Sequence, residues 1–142
     1  MASINFADLE AGDDLPPREL KLDSAFIAAH ANAIDMTAPR FTDDEGARRE
    51  GLPGQITPGA MSMGLFATTL MAWAPEARLT RLGCTFRSLA HAGIVARICG
   101  MVVEVDMPRR SVECEIWMED KASGDRLVFG TATLQFPDPP LV

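Results

Sequence analysis

The chain of 142 residues is poor in the side chains that most often do chemistry: it has no tyrosine, two histidines and three cysteines. Apart from carboxylates, that leaves few groups to move a proton near neutral pH. His30 and His91 have no companion at metal-ligand spacing, so no metal site is expected. Cys84, Cys99 and Cys114 are odd in number, form no CxxC and lie among apolar residues, which predicts buried, reduced thiols on strands. No GxSxG, no GxGxxG and no phosphate-binding loop occurs, and no serine or cysteine lies in a recognisable nucleophile motif. No apolar run reaches the roughly 18 residues of a membrane helix. The opening "MASINFADLEAGDD" is acidic and lacks the apolar region of a secretory signal. Positive charge is also short, with 13 Lys and Arg against 20 Asp and Glu, a net charge of −7. That balance argues against nucleic-acid binding, which needs a basic face, and against an anionic membrane surface. These absences together predict a cytoplasmic protein.

What is present fits one globular α+β domain over residues 1–142, with 47% hydrophobic and 23% charged residues and a lead-in over residues 1–16. "RELKL" alternates and reads as a short strand. Asp23 and Ser24 are both good N-caps before "AFIAAHANAI", whose Phe26, Ile27 and Ile34 are expected on one helical face. A loop from about Asp35 to Pro58 carries "DDEGARRE", which suits a short helix, and then "GLPGQITPG". Gly59 to Trp73 is apolar all round, predicting a helix buried on all sides and stopped by Pro75. Four alternating segments follow, with turn chemistry at "MPRR" and "KASGDR". An apolar helix followed by a meander predicts a hot-dog arrangement, an antiparallel sheet wrapped around that helix, with a second copy covering the remainder.

Two positions stand out chemically. At Gly59 the Gly/Pro-rich loop runs straight into a helix N-terminus, where unpaired amides carry partial positive charge. Glycine there admits a ligand close to the backbone, which suits a carbonyl oxygen gaining negative charge; the plainer reading is a sharp helix start. Asp35 ends an apolar helical stretch before the Pro-restricted "MTAPR". It reads either as a partly buried general base, with Arg40 able to pair with it, or as a helix-ending carboxylate in water.

Over roughly Phe6 to Phe136 the chain resembles the MaoC-like hydratase/dehydratase family of hot-dog domains. The likeness rests on "FADLEAGDDLPP", on "AIDMTAPRFTDDEGARREGLPGQITPGAMSMGLFATTLMAW" and on "RLTRLGCTFRSLAHAG". It implies addition of water to a 2-enoyl thioester, or its removal from an (R)-3-hydroxyacyl thioester. Asp35 matches the family's catalytic Asp, and Gly59 matches the glycine whose amide binds the thioester oxygen. The substrate would be a coenzyme A or carrier-protein thioester, with no separate cofactor and no metal.

The sequence also departs from the family. Arg40 stands where the catalytic His is expected, or Phe41 does if a gap shifts the register. Thr37 replaces the usual Asn, and Pro58 replaces the His that often precedes the glycine. Arginine keeps its proton near neutral pH, and losing one member of an acid/base pair costs on the order of 10²–10⁴-fold in rate. Three readings follow. One is a hydratase with Asp35 as its carboxylate and Arg40 orienting it or stabilising charge. Another is a degenerate half that pairs with an intact hot-dog subunit. The third is a hot-dog thioesterase. In each, Thr37, Pro58, Ala60, Met61, Met63 and Leu65 are candidates for the groove beside the helix, and Arg87, with Arg48 or Arg49, for phosphate. A homodimer or heterodimer is expected.

Overall fold

The computed structural model describes residues 4–141. Its elements run β1 (Asp14–Lys21), α1 (Ser24–Ala33), α2 (Asp44–Arg49), α3 (Gly59–Trp73), β2 (Arg78–Phe86), β3 (Val95–Asp106), β4 (Ser111–Asp120) and β5 (Arg126–Gln135), with 3₁₀ turns at Phe6–Asp8 and Pro39–Phe41. The strands form one antiparallel sheet in the order β1-β3-β4-β5-β2. Alternation sends Ile98 and Val102 of β3, Cys114, Ile116 and Met118 of β4, and Val128, Ala132 and Leu134 of β5 into the core. Helix α3 lies on that face and adds Met61, Leu65, Phe66 and Leu70. Gly130 lets it come close: a Cβ there would stand 2.9 Å from Ile116 Cγ2 and 3.2 Å from Phe66 Cδ2. This is the hot-dog arrangement that the order of segments predicts.

Four expectations change. The lead-in is already structured, since Phe6 is buried in the core and β1 begins at Asp14, inside "DDLPP". Pro16 and Pro17 fit because β1 is an edge strand and its pairing with β3 shifts register between Leu15 and Arg18. The four later strands are not a simple meander. β3–β4 and β4–β5 are hairpins, but β2 lies beyond β5 and reaches β3 through residues 87–94. In α1 only Ile27 and Ala31 are buried, while Phe26 and Ile34 stay exposed. Helix α3 is buried on one side only. Ala60, Thr68, Met71 and Ala72 face outward, with Met71 54% exposed.

Helix ends explain much of what comes next. Asp23 caps α1 by accepting from the Phe26 amide at 2.8 Å, and Asp43 caps α2 by accepting from the Gly46 amide. Helix α3 has Pro58 at its N-cap, which brings no side-chain acceptor. At its far end Pro75 drives Ala74 out of the helical region, to φ −128° and ψ 72°.

Candidate active site

The uncapped start of α3 opens on a cavity of about 250 Å³. Phe41, Ile56, Ala90 and Val128 supply an apolar lining, Phe86 and Leu89 stand at the more exposed side, and Thr57, Gly59, Ser62 and Ser88 complete the wall. Gly59 and Ser62 share it because three residues along a helix return to the same face. The Met61 and Ser62 amides both donate to the Pro58 carbonyl, at 3.0 and 3.3 Å. The Gly59 and Ala60 amides come before any intrahelical acceptor and have no other partner among the described residues. The Gly59 amide therefore brings the positive end of the helix dipole to this cavity, whereas Ala60 is exposed and outside its lining. Among the described residues no carboxylate, imidazole or guanidinium lines it. Such a wall can hold an oxygen that gains negative charge, and it has no group that takes a proton.

Gly59 is also sterically committed. A Cβ on it would lie 2.9 Å from Phe86 Cζ and 3.1 Å from Cε1. The Phe86 ring, half exposed at the end of β2, thus rests directly on the helix start.

The loop leading to Gly59 is pinned from inside. Gln55 is 1% exposed, and its Nε2 donates to the carbonyls of Phe41 at 2.9 Å and Ser24 at 3.3 Å. Its amide donates to Asp44 Oδ1 at 2.8 Å. The Ile56 amide donates to the Arg40 carbonyl, and the Thr57 amide to that of Ala90 at 2.8 Å. The Ala92 amide returns a bond to the Gln55 carbonyl at 2.9 Å. The helix entry is thereby stitched to the segment that follows β2.

The other end of the loop is different. Asp35 follows the C-cap of α1 at φ +58°. Its amide donates to the Asn32 carbonyl at 3.2 Å, and that of Met36 to Ala31 at 2.8 Å, which closes the helix in a Schellman turn. Glycine or asparagine takes this left-handed position more cheaply than aspartate. The Asp35 residue is exposed, and its carboxylate has no hydrogen-bond or ion-pair partner among the described residues. The expected partial burial and the pairing with Arg40 are therefore not found. Arg40 turns to Glu50 at 3.1 Å and covers the Phe41 ring at 4.7 Å. Phe41, not Arg40, faces the cavity.

The groove candidates also separate. Met61 is 0% exposed and belongs to the core, so it cannot line an open groove, and Leu65 is buried beside it. Thr37 and Ala60 are exposed, Met63 is half-buried and Pro58 is buried in the helix entry. Arg87 is exposed and stacks on the Phe129 ring at 4.6 Å, away from the cavity; Arg48 and Arg49 are exposed on α2. Thr57, Ser62 and Phe86 escape a reading of the sequence. Gly59 and Ser62 at i, i+3 were the one available signal; nothing marks Thr57 within "QITPG".

The cysteines and histidines lie outside the cavity lining. Burial pushes the Cys84 and Cys99 thiols up, with the nearby Glu119 adding to the second. Burial, with Glu113 beside it, pushes Cys114 up to about 12. Cys114 is buried as expected, whereas Cys84 and Cys99 are only half-buried. His91 lies with Asp120 and Asp125 in an adjoining groove that shares Ser88 and Leu89 with the cavity, and His30 is in the last turn of α1. No cluster of three metal-ligating side chains is found among the described residues, nor is any helix there long and apolar enough to cross a membrane.

No protein-family model and no curated protein sequence matches the chain. Solved structures do. The R-hydratase PhaJ1 from Pseudomonas aeruginosa superposes with a TM-score of 0.87 at 18% identity, over 99% of this chain and 96% of that one. A chain of the ChsH1–ChsH2 complex from Mycobacterium tuberculosis gives 0.82 at 19% identity, over 90% and 98%. A MaoC-like dehydratase gives 0.85 at 25% identity, with 95% of this chain covering 43% of that protein. The structural neighbours are thus MaoC-like dehydratases and (R)-hydratases, and the fold is the hot-dog fold they share.

Proposed function

We propose that the chain is an acyl-thioester hydratase/dehydratase-type subunit that acts as a dimer. A 2-enoyl or (R)-3-hydroxyacyl thioester lies with its carbonyl oxygen on the Gly59 amide. The observation that carries this reading is the cavity at the uncapped start of α3, whose polar lining is hydroxyl and amide only. In hydration, the Asp35 carboxylate takes a proton from water as the water oxygen bonds to C3 and the double-bond electrons move toward the thioester oxygen. The same carboxyl then returns the proton to C2, and the 3-hydroxyacyl thioester leaves. Asp35 takes this role through its match to the catalytic Asp of the MaoC-like family; its φ of +58° is that of the turn that closes α1.

Two features support a second chain. Ala60, Thr68, Met71 and Ala72 leave an uncovered strip on α3. The sheet edges also differ: β1 carries Pro16 and Pro17, while β2 has no proline from Arg78 to Phe86 and is open to strand pairing. A second reading has its own support, since Phe41 faces the cavity and Arg40 is tied to Glu50. On that reading this chain supplies the oxygen site and an intact hot-dog partner supplies the acid/base groups, an assembly of two different chains like that named for ChsH1–ChsH2.

The test is hydration of crotonyl-CoA followed by loss of enoyl absorbance. The purified chain is expected to turn it over, and Asp35→Asn to lower the rate by about 10²–10⁴-fold. Asparagine suits the left-handed turn, so thermal stability should hold. No turnover at high protein concentration, followed by turnover once an intact hot-dog partner is added, selects the second reading.

A further inference from the structure

One polar group in the cavity wall has no partner among the described residues. Thr57 lines the cavity and is 8% exposed; its Oγ1 is sealed from solvent and has no hydrogen-bond partner among them. Buried hydroxyls nearly always find an acceptor, so one that does not points to a missing ligand atom or water. Packing gives no reason for a hydroxyl here. The apolar part of the wall is Phe41, Ile56, Ala90 and Val128, against which valine has the same shape. The Thr57 backbone is already held through its amide by Ala90.

We propose that the Thr57 hydroxyl is a second donor to the thioester carbonyl oxygen, beside the Gly59 amide. The proposal rests on the hydratase/dehydratase reading and adds a residue to it. Among the described residues the lining offers no carboxylate, and neither the Ser62 nor the Ser88 hydroxyl is within hydrogen-bond distance of Thr57 Oγ1, which leaves an acceptor on the bound molecule as its partner. The Gly59 amide, two residues along, asks for the same kind of atom. The Thr57 side chain turns its hydroxyl into the cavity as the thioester binds, and both donors strengthen their bonds as electrons move from the double bond to the carbonyl oxygen. Thr57 keeps its proton throughout. It does not replace the missing acid/base partner; it makes the oxygen site a two-donor site.

The experiment reads the thioester itself. Butyryl-CoA labelled with ¹³C at the carbonyl is saturated and cannot be hydrated, so infrared difference spectra report how the bound carbonyl is polarised. Binding to the wild-type chain should shift its stretch to lower frequency. Thr57→Val and Thr57→Ala should lose much of that shift, and Thr57→Ser should keep it. In crotonyl-CoA hydration, Thr57→Val should lower kcat by about 10²-fold with little change in KM. Circular dichroism melting of each variant checks the fold, and the alanine variant stands in if the valine variant does not fold. An unchanged carbonyl shift in the folded Val or Ala variant overturns the proposal and leaves the hydratase reading intact. If butyryl-CoA does not bind the wild-type chain at all, both fall.

Discussion

At Gly59 the loop from α1 to α3 ends in an enclosed wall of fixed donors, tied through Gln55, Ile56 and Thr57 to two neighbouring segments. At Asp35 the same loop begins on an exposed left-handed corner, with no partner for the carboxylate among the described residues. On the proposed reading, the oxygen-binding half of the candidate site lies within one chain, while the proton-moving half stands in the open. A carboxylate in water is a weak catalytic base until something encloses it. The contrast teaches where a second chain would matter most: at Asp35 and not at Gly59.

The largest effect should come from preventing association. Met71→Asp places a charge on the exposed strip of α3, where the side chain is 54% exposed and contributes little to the core of its own chain. Sedimentation should show a monomer that remains folded, binds butyryl-CoA and has lost hydration of crotonyl-CoA. A folded monomer with full activity would erase the distinction between the two halves.

Next comes Gly59→Ala. The added methyl meets the Phe86 ring, whose half-exposed tip can shift, so melting temperature should change little. A displaced ring narrows the approach to the amides, and an ångström of misplacement costs about 10²-fold in rate. Rate measurements on Gly59→Ala, with and without Phe86→Leu, check this, and the double variant should recover part of the loss.

Arg40→Ala should do least. It removes an ion pair with Glu50 between two partly exposed side chains, worth about 0–1 kcal/mol. The rate should stay within about twofold of wild type, as the guanidinium lies outside the cavity wall. A large loss in kcat with normal melting would return Arg40 to the site.

Much of the fold was legible because local signals agreed with it. Pro58-Gly59 and Pro75 bracket α3, and the later strands alternate cleanly against one packed face. The start of β1 was hidden by Pro16-Pro17, which read as linker chemistry unless the strand is known to be an edge. The place of β2 was hidden because alternation sets which face is buried and not which strand lies beside which. The site was legible at Gly59, where the backbone leaves a mark in composition. It was not legible at Thr57, whose significance is an absent partner, nor at Asp35, whose exposure depends on how the chain turns after α1. Met61 was misplaced for a similar reason: on a helix rich in apolar residues, periodicity alone does not say which side meets the sheet.

Pro16 and Pro17 have one more consequence. If two copies join along β2, each outer margin of the combined sheet is a β1 strand, and consecutive residues there have no amide proton to offer. Such an edge acts as a chain terminator. Strand-by-strand growth would stop at two subunits, so the same open edge that invites one partner need not lead to polymerisation.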